Sequence, residues 1–148
     1  MDNGKIVAVK GTGGTHLVAG TTGDDAILRM RRVLGRPMKP FAIMARDMVE
    51  AKRIAFISEK EEQLLSSMER PIVILSKKDK ISTNISPGLG NIGIMLPYSG
   101  LHHLLFHYSN EPAFVMTSAN IPGMAHAADL RPLAFAGRGF FADTQQDD

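Results

Sequence analysis

Three short stretches carry groups suited to holding an anion. The run Gly11 to Thr15 (GTGGT) lacks the Lys-Ser/Thr pair of a Walker loop and the spacing of a dinucleotide fingerprint. What remains is a glycine-lined turn, and two readings of it stay open. Without side chains at Gly13 and Gly14, backbone amides can approach a phosphate or carboxylate closely; alternatively, the glycines only serve a tight turn with positive φ. His16 follows this turn directly and would stand beside any ligand held there. The second stretch places Arg36 and Lys39 among Pro37 and Pro40. A proline-stiffened loop loses less entropy when its cations clamp an anion. A guanidinium grips two oxygens at once, and an ammonium acts as a point charge against charge developing on a phosphate. The third is Ser118 and Asn120, a hydroxyl and an amide that each donate and accept; the plain alternative is a polar turn.

Arg36 and Lys39 belong to a wider basic stretch. Between Ala26 and Arg46 lie Arg29, Arg31, Arg32, Arg36, Lys39 and Arg46 without one acidic residue. This predicts a positive patch, read either as a solvated helix face plus loop or as a polyanion site. His103 and His107 share a helical face and could form a two-ligand metal site with Glu111, but core or helix-cap histidines are the simpler reading, and no metal site is assigned. The nine methionines read as core filler.

Composition narrows the classes. The chain has 148 residues, enough for one domain, with 44% apolar and 22% charged residues, as in globular proteins. A net charge of +2 does not announce a nucleic-acid binder. With no cysteine, disulfides, thiolate metal sites and a cysteine nucleophile are excluded. The absence of any long apolar run, and of an apolar segment after MDNGK, leads to the expectation of a cytoplasmic protein without membrane contact.

The elements that must position these groups follow from local pattern. Lys5 to Lys10 reads as a strand running into the glycine turn. Thr22 and Asp25 are spaced as a capping box ahead of a helix over Ala26 to Leu34, which Gly35, Pro37 and Pro40 must end. Phe41 to Ala45 reads as a buried strand. Asp47 would cap a helix running to about Phe56, and Ser58 with Glu61 would cap another. Ile72 to Leu75 reads as a central strand followed by an exposed turn at SKKDK, and Ser86 to Gly93 as a structured loop leading to Ile94. Leu101 to Tyr108 has helical spacing, and Ala113 to Thr117 is a further strand. Helices and strands mix without strict βαβ alternation, which predicts an α/β layer structure with a twisted mixed sheet and flanking helices. After Gly123 the pattern lapses, so residues 124–148 are set apart from a domain at 1–123 and no structure is assigned to them.

Lys10 to Leu17 (KGTGGTHL), Lys39 to Met44 (KPFAIM), Ile94 to Leu105 (IMLPYSGLHHLL) and Met116 to Asn120 (MTSAN), in that order, resemble the YrdC-like domain of HypF-type carbamoyltransferases, which mature nickel-iron hydrogenases. The resemblance covers approximately residues 4 to 123. It implies a YrdC-like (DHBP synthase-like) fold whose positively charged concave surface binds ATP, with Mg²⁺ held mainly by the phosphates. It further implies that carbamate, derived from carbamoyl phosphate, is joined to AMP with loss of pyrophosphate, and that other maturation domains and a partner protein receive the carbamoyl group. On this sequence, Arg36 and Lys39 would hold the triphosphate, and Ser118 and Asn120 the nucleotide or phosphate. Lys10, Gly13, Gly14 and His16 would line the carbamate and phosphate end. Leu34 stands where the family usually has a basic residue, and the chain departs from the pattern after Gly123. It therefore reads as a truncated or frame-shifted piece of the larger enzyme. Related domains suggest two alternatives, a double-stranded RNA-binding module and a relative of the synthases that make threonylcarbamoyl-adenylate for tRNA modification.

Overall fold

The computed structural model describes residues 4–11, 14–119 and 140–142. The expected boundary after Gly123 and most of the tail, together with Gly13 and Asn120, lie outside them.

The first strand, β1 (Ile6–Gly11), carries apolar residues on both faces and turns back into β2 (Gly14–Gly20) as an antiparallel hairpin whose register closes at Gly11 opposite Gly14. Gly14 has φ 117, a conformation that penalises any Cβ, which is why the turn needs glycine there. Helix α1 (Asp24–Leu34) follows, buries Ala26, Ile27, Met30, Arg31 and Leu34, and ends on Gly35 at φ 60. Its first turn departs from the expected capping box. The N-cap is Gly23, with no side-chain cap, because the Thr22 hydroxyl donates instead to Glu111 Oε1 at 2.6 Å. Asp24 and Asp25 in the first turn still oppose the helix dipole favourably.

Strand β3 (Ala42–Ala45) is buried as expected. Helix α2 (Met48–Ile54) is capped by Asp47, which accepts from the Glu50 amide, and leads into β4 (Ala55–Phe56). Helix α3 (Glu59–Leu65) carries the full Ser58–Glu61 capping box. Strand β5 (Val73–Lys77) extends further than expected, so Ser76 and Lys77 are strand, not turn. Strand β6 (Asn91–Met95) likewise takes Asn91 to Gly93 out of the expected loop. Helix α4 (Gly100–His107) and strand β7 (Ala113–Ser118) complete the body of the fold.

Seven of these strands form one mixed sheet in the order β4-β5-β6-β3-β7-β2-β1, and a three-residue strand, β8 (Phe140–Ala142), lies parallel to β1 at its outer edge. The β3–β6 pair is parallel and the other pairs of the seven are antiparallel. Strand β5 is therefore next to an edge rather than central. Helices α1, α2 and α3 bury their apolar sides on one face of the sheet. On the other, Phe106 of α4 packs with Val7, Val9, Val18, Met44 and Phe114, its ring 4.7 Å from that of Phe114. Beyond α4 no described element covers that face: Ile72, Ile74 and Phe56 are 55%, 63% and 63% exposed. No described helix is long and apolar enough to cross a membrane.

Candidate functional site

Of the predicted residues, Lys10, Gly14, His16, Arg36 and Ser118 gather at one end of the sheet, where β1 ends, β2 begins and β7 ends. His16 is the direct cross-strand neighbour of Ser118, and the Ala119 amide donates to the Thr15 carbonyl at 3.0 Å, so the strand end and the hairpin base are tied together. The basic loop reaches the same place. Arg36 Nη1 donates to Thr117 Oγ1 at 2.8 Å. Lys10 sits opposite Thr15 and is exposed. Gly14 is exposed, with nothing within 4 Å of where its Cβ would be, so its backbone faces open space.

Strand alternation divides these groups between the two faces. Thr15 and Thr117 share parity with Leu17 and Val115, which pack on the α1 side; Lys10 shares it with Ala8. His16 and Ser118 share parity with Val18, Met116 and Phe114, which pack on the α4 side. Arg36 thus approaches the sheet end from one face, while His16 and Ser118 stand on the other. The groups share an end of the sheet, not a face. Lys39 is exposed, and its backbone carbonyl is held by Arg31 at 2.8 Å.

The expected positive patch is not a patch. Arg31 is 6% exposed and donates to the carbonyls of Asn84, Ile85, Arg36 and Lys39, with its guanidinium 4.3 Å from the centre of the Phe41 ring. Burial lowers its pKa from the ordinary arginine value. Arg46 donates to the carbonyls of Phe106, Ser109 and Glu111 and thereby closes the C-terminus of α4. Arg29 donates to the Gly4 carbonyl. Half of the six cations therefore bind main chain. An open cleft of about 840 Å³ beside α1, lined by Asp25, Arg29, Arg32 and Pro37 among others, contains none of the predicted site residues.

Glu111 is buried and accepts from the Thr21 and Thr22 amides and the Thr22 hydroxyl, so its carboxylate is committed away from His103 and His107. Among the described residues no group of three or more His, Cys, Asp or Glu could hold a metal ion. His102 is 8% exposed, and its Nδ1 accepts from the Tyr98 amide at 3.3 Å. Desolvation, and after it the neighbouring His16 and His103, hold its pKa below the ordinary value.

Two participants escaped the sequence reading. Thr117 adjoins Ser118, and its alternation with Val115 could have placed it on the Arg36 face. Arg31 falls on the same helical face as Ile27, Met30 and Leu34, a signal of burial that its charge concealed.

The sequence model of the family Sua5_yciO_yrdC, described as "Telomere recombination", matches residues 1–134. The chain belongs to the Sua5/YciO/YrdC family. Within that family it is 45% identical over 132 residues to "Probable carbamoyltransferase HypF" of Methanocaldococcus jannaschii, covering 87% of this chain and 17% of that protein. The crystal structure of HypF from T. kodakarensis superposes with a TM-score of 0.81 at 47% identity, over 92% of this chain and 18% of that one. A crystal structure of full-length HypF in its phosphate- and nucleotide-bound form gives 0.77 at 45% identity, over 81% and 16%. The chain thus spans about one sixth of the length of these relatives. The twisted mixed sheet expected from the YrdC-like resemblance is the one observed.

Proposed function

We propose that this YrdC-type domain binds ATP at the end of the sheet where β2 begins and β7 ends, and joins carbamate to AMP. A carbamate oxygen would attack the α-phosphorus, the bond from that phosphorus to the bridging oxygen would break, and pyrophosphate would leave with the electron pair. Such a reaction needs positioning and stabilisation of negative charge more than a protein nucleophile. The observation that carries the proposal is the Arg36–Thr117 contact, which draws the proline-braced loop onto the strand bearing Ser118, opposite His16. Arg36 and Lys39 would take the phosphates. Lys10 and the Gly14 backbone, with Gly13 and Asn120 outside the described residues, would complete the cradle. The bound phosphate and nucleotide named for the HypF structure support the same ligand class here.

The residues present fit Mg²⁺ only as an ion carried by phosphate oxygens, since the described residues offer no cluster of carboxylates or imidazoles. When bound it would neutralise charge on the triphosphate. Lys10, Arg36 and Lys39 supply the protein's own cations. Delivery of the carbamoyl group to other domains or a partner protein belongs to the same proposal. The RNA-binding alternative loses part of its support, because Arg29, Arg31 and Arg46 each donate to main chain.

Calorimetric titration with ATP and Mg²⁺ tests the proposal. Saturable binding is expected, weakened at least about tenfold by Arg36→Ala and by Lys39→Ala, as each removes a charge-assisted contact of roughly 1.5–3 kcal/mol. No binding, or binding indifferent to both substitutions, would overturn it.

A further inference from the structure

Residues 81–110 contain no Asp, Glu, Lys or Arg, in a chain of which 22% is charged. Strand β6 and helix α4 both lie within that stretch, and Tyr98, Leu104 and Tyr108 are exposed on it. Depletion of charge with tyrosine left in solvent is the composition of an interface core. The same side of the sheet continues past α4 as a shelf, and strand alternation settles which residues form it. Gly93 alternates with Met95, which packs against the cluster under α4, and it pairs with Ile74. Phe56 pairs with Ser76, two residues along β5 from Ile74, and Ala42 alternates with Met44 on β3. Ala42, Gly93, Ile74 and Phe56 thus step outward across four neighbouring strands on one face, with Ile72 just before β5. Glycine inside a strand forgoes packing and marks a close approach. A Cβ at Gly93 would come within 3.0 Å of Ile72 Cγ2 and 3.4 Å of Ile74 Cδ1. The two isoleucines therefore pack against bare strand, and the shelf stays low.

We propose that this shelf, from Gly93 across Ile74 to Phe56, is the docking site for an amphipathic helix with an apolar side flanked by carboxylates, supplied by polypeptide outside this domain. Its width fits one helix: three strands spaced about 4.8 Å apart span roughly 10 Å, the diameter of a helix with its side chains. Helix α4 already covers the neighbouring strands in this way, laying Phe106 on Val9, Val18 and Phe114. Charge selects the flank. From residue 70 to residue 110 the chain carries Arg70, Lys77, Lys78 and Lys80 against Asp79 alone. Lys78 Nζ stands 5.0 Å from the centre of the Phe56 ring at the outer border of the shelf, where it would meet a carboxylate and repel a second cation. Such a helix has a source, because the domain accounts for 17% of the M. jannaschii relative and 18% of the T. kodakarensis one. The shelf lies on β4 to β6, whereas ATP is assigned to the end of the sheet where β2 begins and β7 ends, so the two readings stand or fall separately.

The test is NMR of the isotope-labelled whole chain, titrated with a synthetic helix of about 18 residues, roughly five turns. This probe carries leucines at i, i+3, i+4 and i+7 and glutamates along both flanks. One control has lysine in place of every glutamate, and another has the same composition with the leucines scattered around the helix. The expected result is a saturable shift of the Phe56, Ile74 and Gly93 amide signals, with the acidic helix binding at least about tenfold more tightly than either control. Ile72→Thr and Ile74→Thr keep β-branching at positions already exposed. They should lower affinity for the acidic helix about tenfold while the melting temperature and the ATP titration stay unchanged. Lys78→Glu should exchange the preference between the glutamate and lysine helices. Equal binding of all three peptides, shifts confined to other parts of the chain, or affinity indifferent to both threonine substitutions overturns the proposal. Light scattering addresses the other occupant. A concentration-dependent dimer that Ile74→Thr returns to monomer would give the face to a second copy of the chain and overturn the proposal as well.

Discussion

The single hydroxyl of Thr117 orients Arg36 at 2.8 Å, and Thr117→Val removes that acceptor while keeping the volume of a nearly buried side chain. Loss of one hydrogen bond to a charged group corresponds to roughly 1.5 kcal/mol or somewhat less where the arginine finds water instead. ATP affinity should therefore fall about three- to tenfold with little change in melting temperature. An unchanged affinity in calorimetry would separate Arg36 from the nucleotide. The local setting of Arg36 and His16 was legible from residue type and spacing, because Pro37 and Pro40 announce a stiff loop and glycines announce a turn after a strand. Arg31 was misread for the same reason in reverse: its charge suggested solvent, while its helical phase with Ile27, Met30 and Leu34 directs it inward to four carbonyls.

Among the elements, the loop from Gly35 to Pro40 is held more by Arg31 than by its prolines. Both Arg36 and Lys39 present backbone carbonyls to that guanidinium. Replacing it in Arg31→Met leaves those carbonyls and the ones at Asn84 and Ile85 without their donor, and should cost about 2–4 kcal/mol of stability in urea unfolding. A loss below about 0.5 kcal/mol would show the loop to be self-supporting. Caps formed within four residues, at Asp47 and at Ser58 with Glu61, could be read directly from the sequence. The start of α1 could not, because the partner of Thr22 is Glu111, 89 positions away. Strand β2 was missed because GTHLVAG begins and ends in glycine and starts with polar residues, and only its pairing with β1 and β7 makes it a strand. The run Ile72 to Leu75 suggested a central strand, yet Ile72 and Ile74 face out where no described helix covers the sheet.

Across the whole molecule, stability should depend on pH through His102. Its folded pKa lies below the ordinary imidazole value, first from burial and then from His16 and His103. The unfolded chain therefore takes up the proton first. The contribution of the neutral ring is complete above about 6.5 and is lost as pH falls from there through the folded pKa. Urea unfolding at pH 7.5 and at pH 5.5 should show lower stability at the acidic value, with a smaller difference in His102→Asn; an equal difference in both proteins would assign the effect elsewhere. The mixed character of the sheet was legible from the irregular succession of helices and strands, but its strand order was not, since that order is set by pairings between distant segments.

That order makes β7 the joint of the molecule. Strands β1 and β2 form one ribbon and β3 to β6 form another with α2 and α3, and among the described residues the strand pairing joins the two only through residues 113–118. During synthesis, neither ribbon can gain its neighbour until this late segment has emerged, so both wait with an unpaired border. Closure at that moment brings the Arg36 loop onto a strand that also pairs with the one bearing His16, so the joining of the two ribbons and the assembly of the proposed site are a single event.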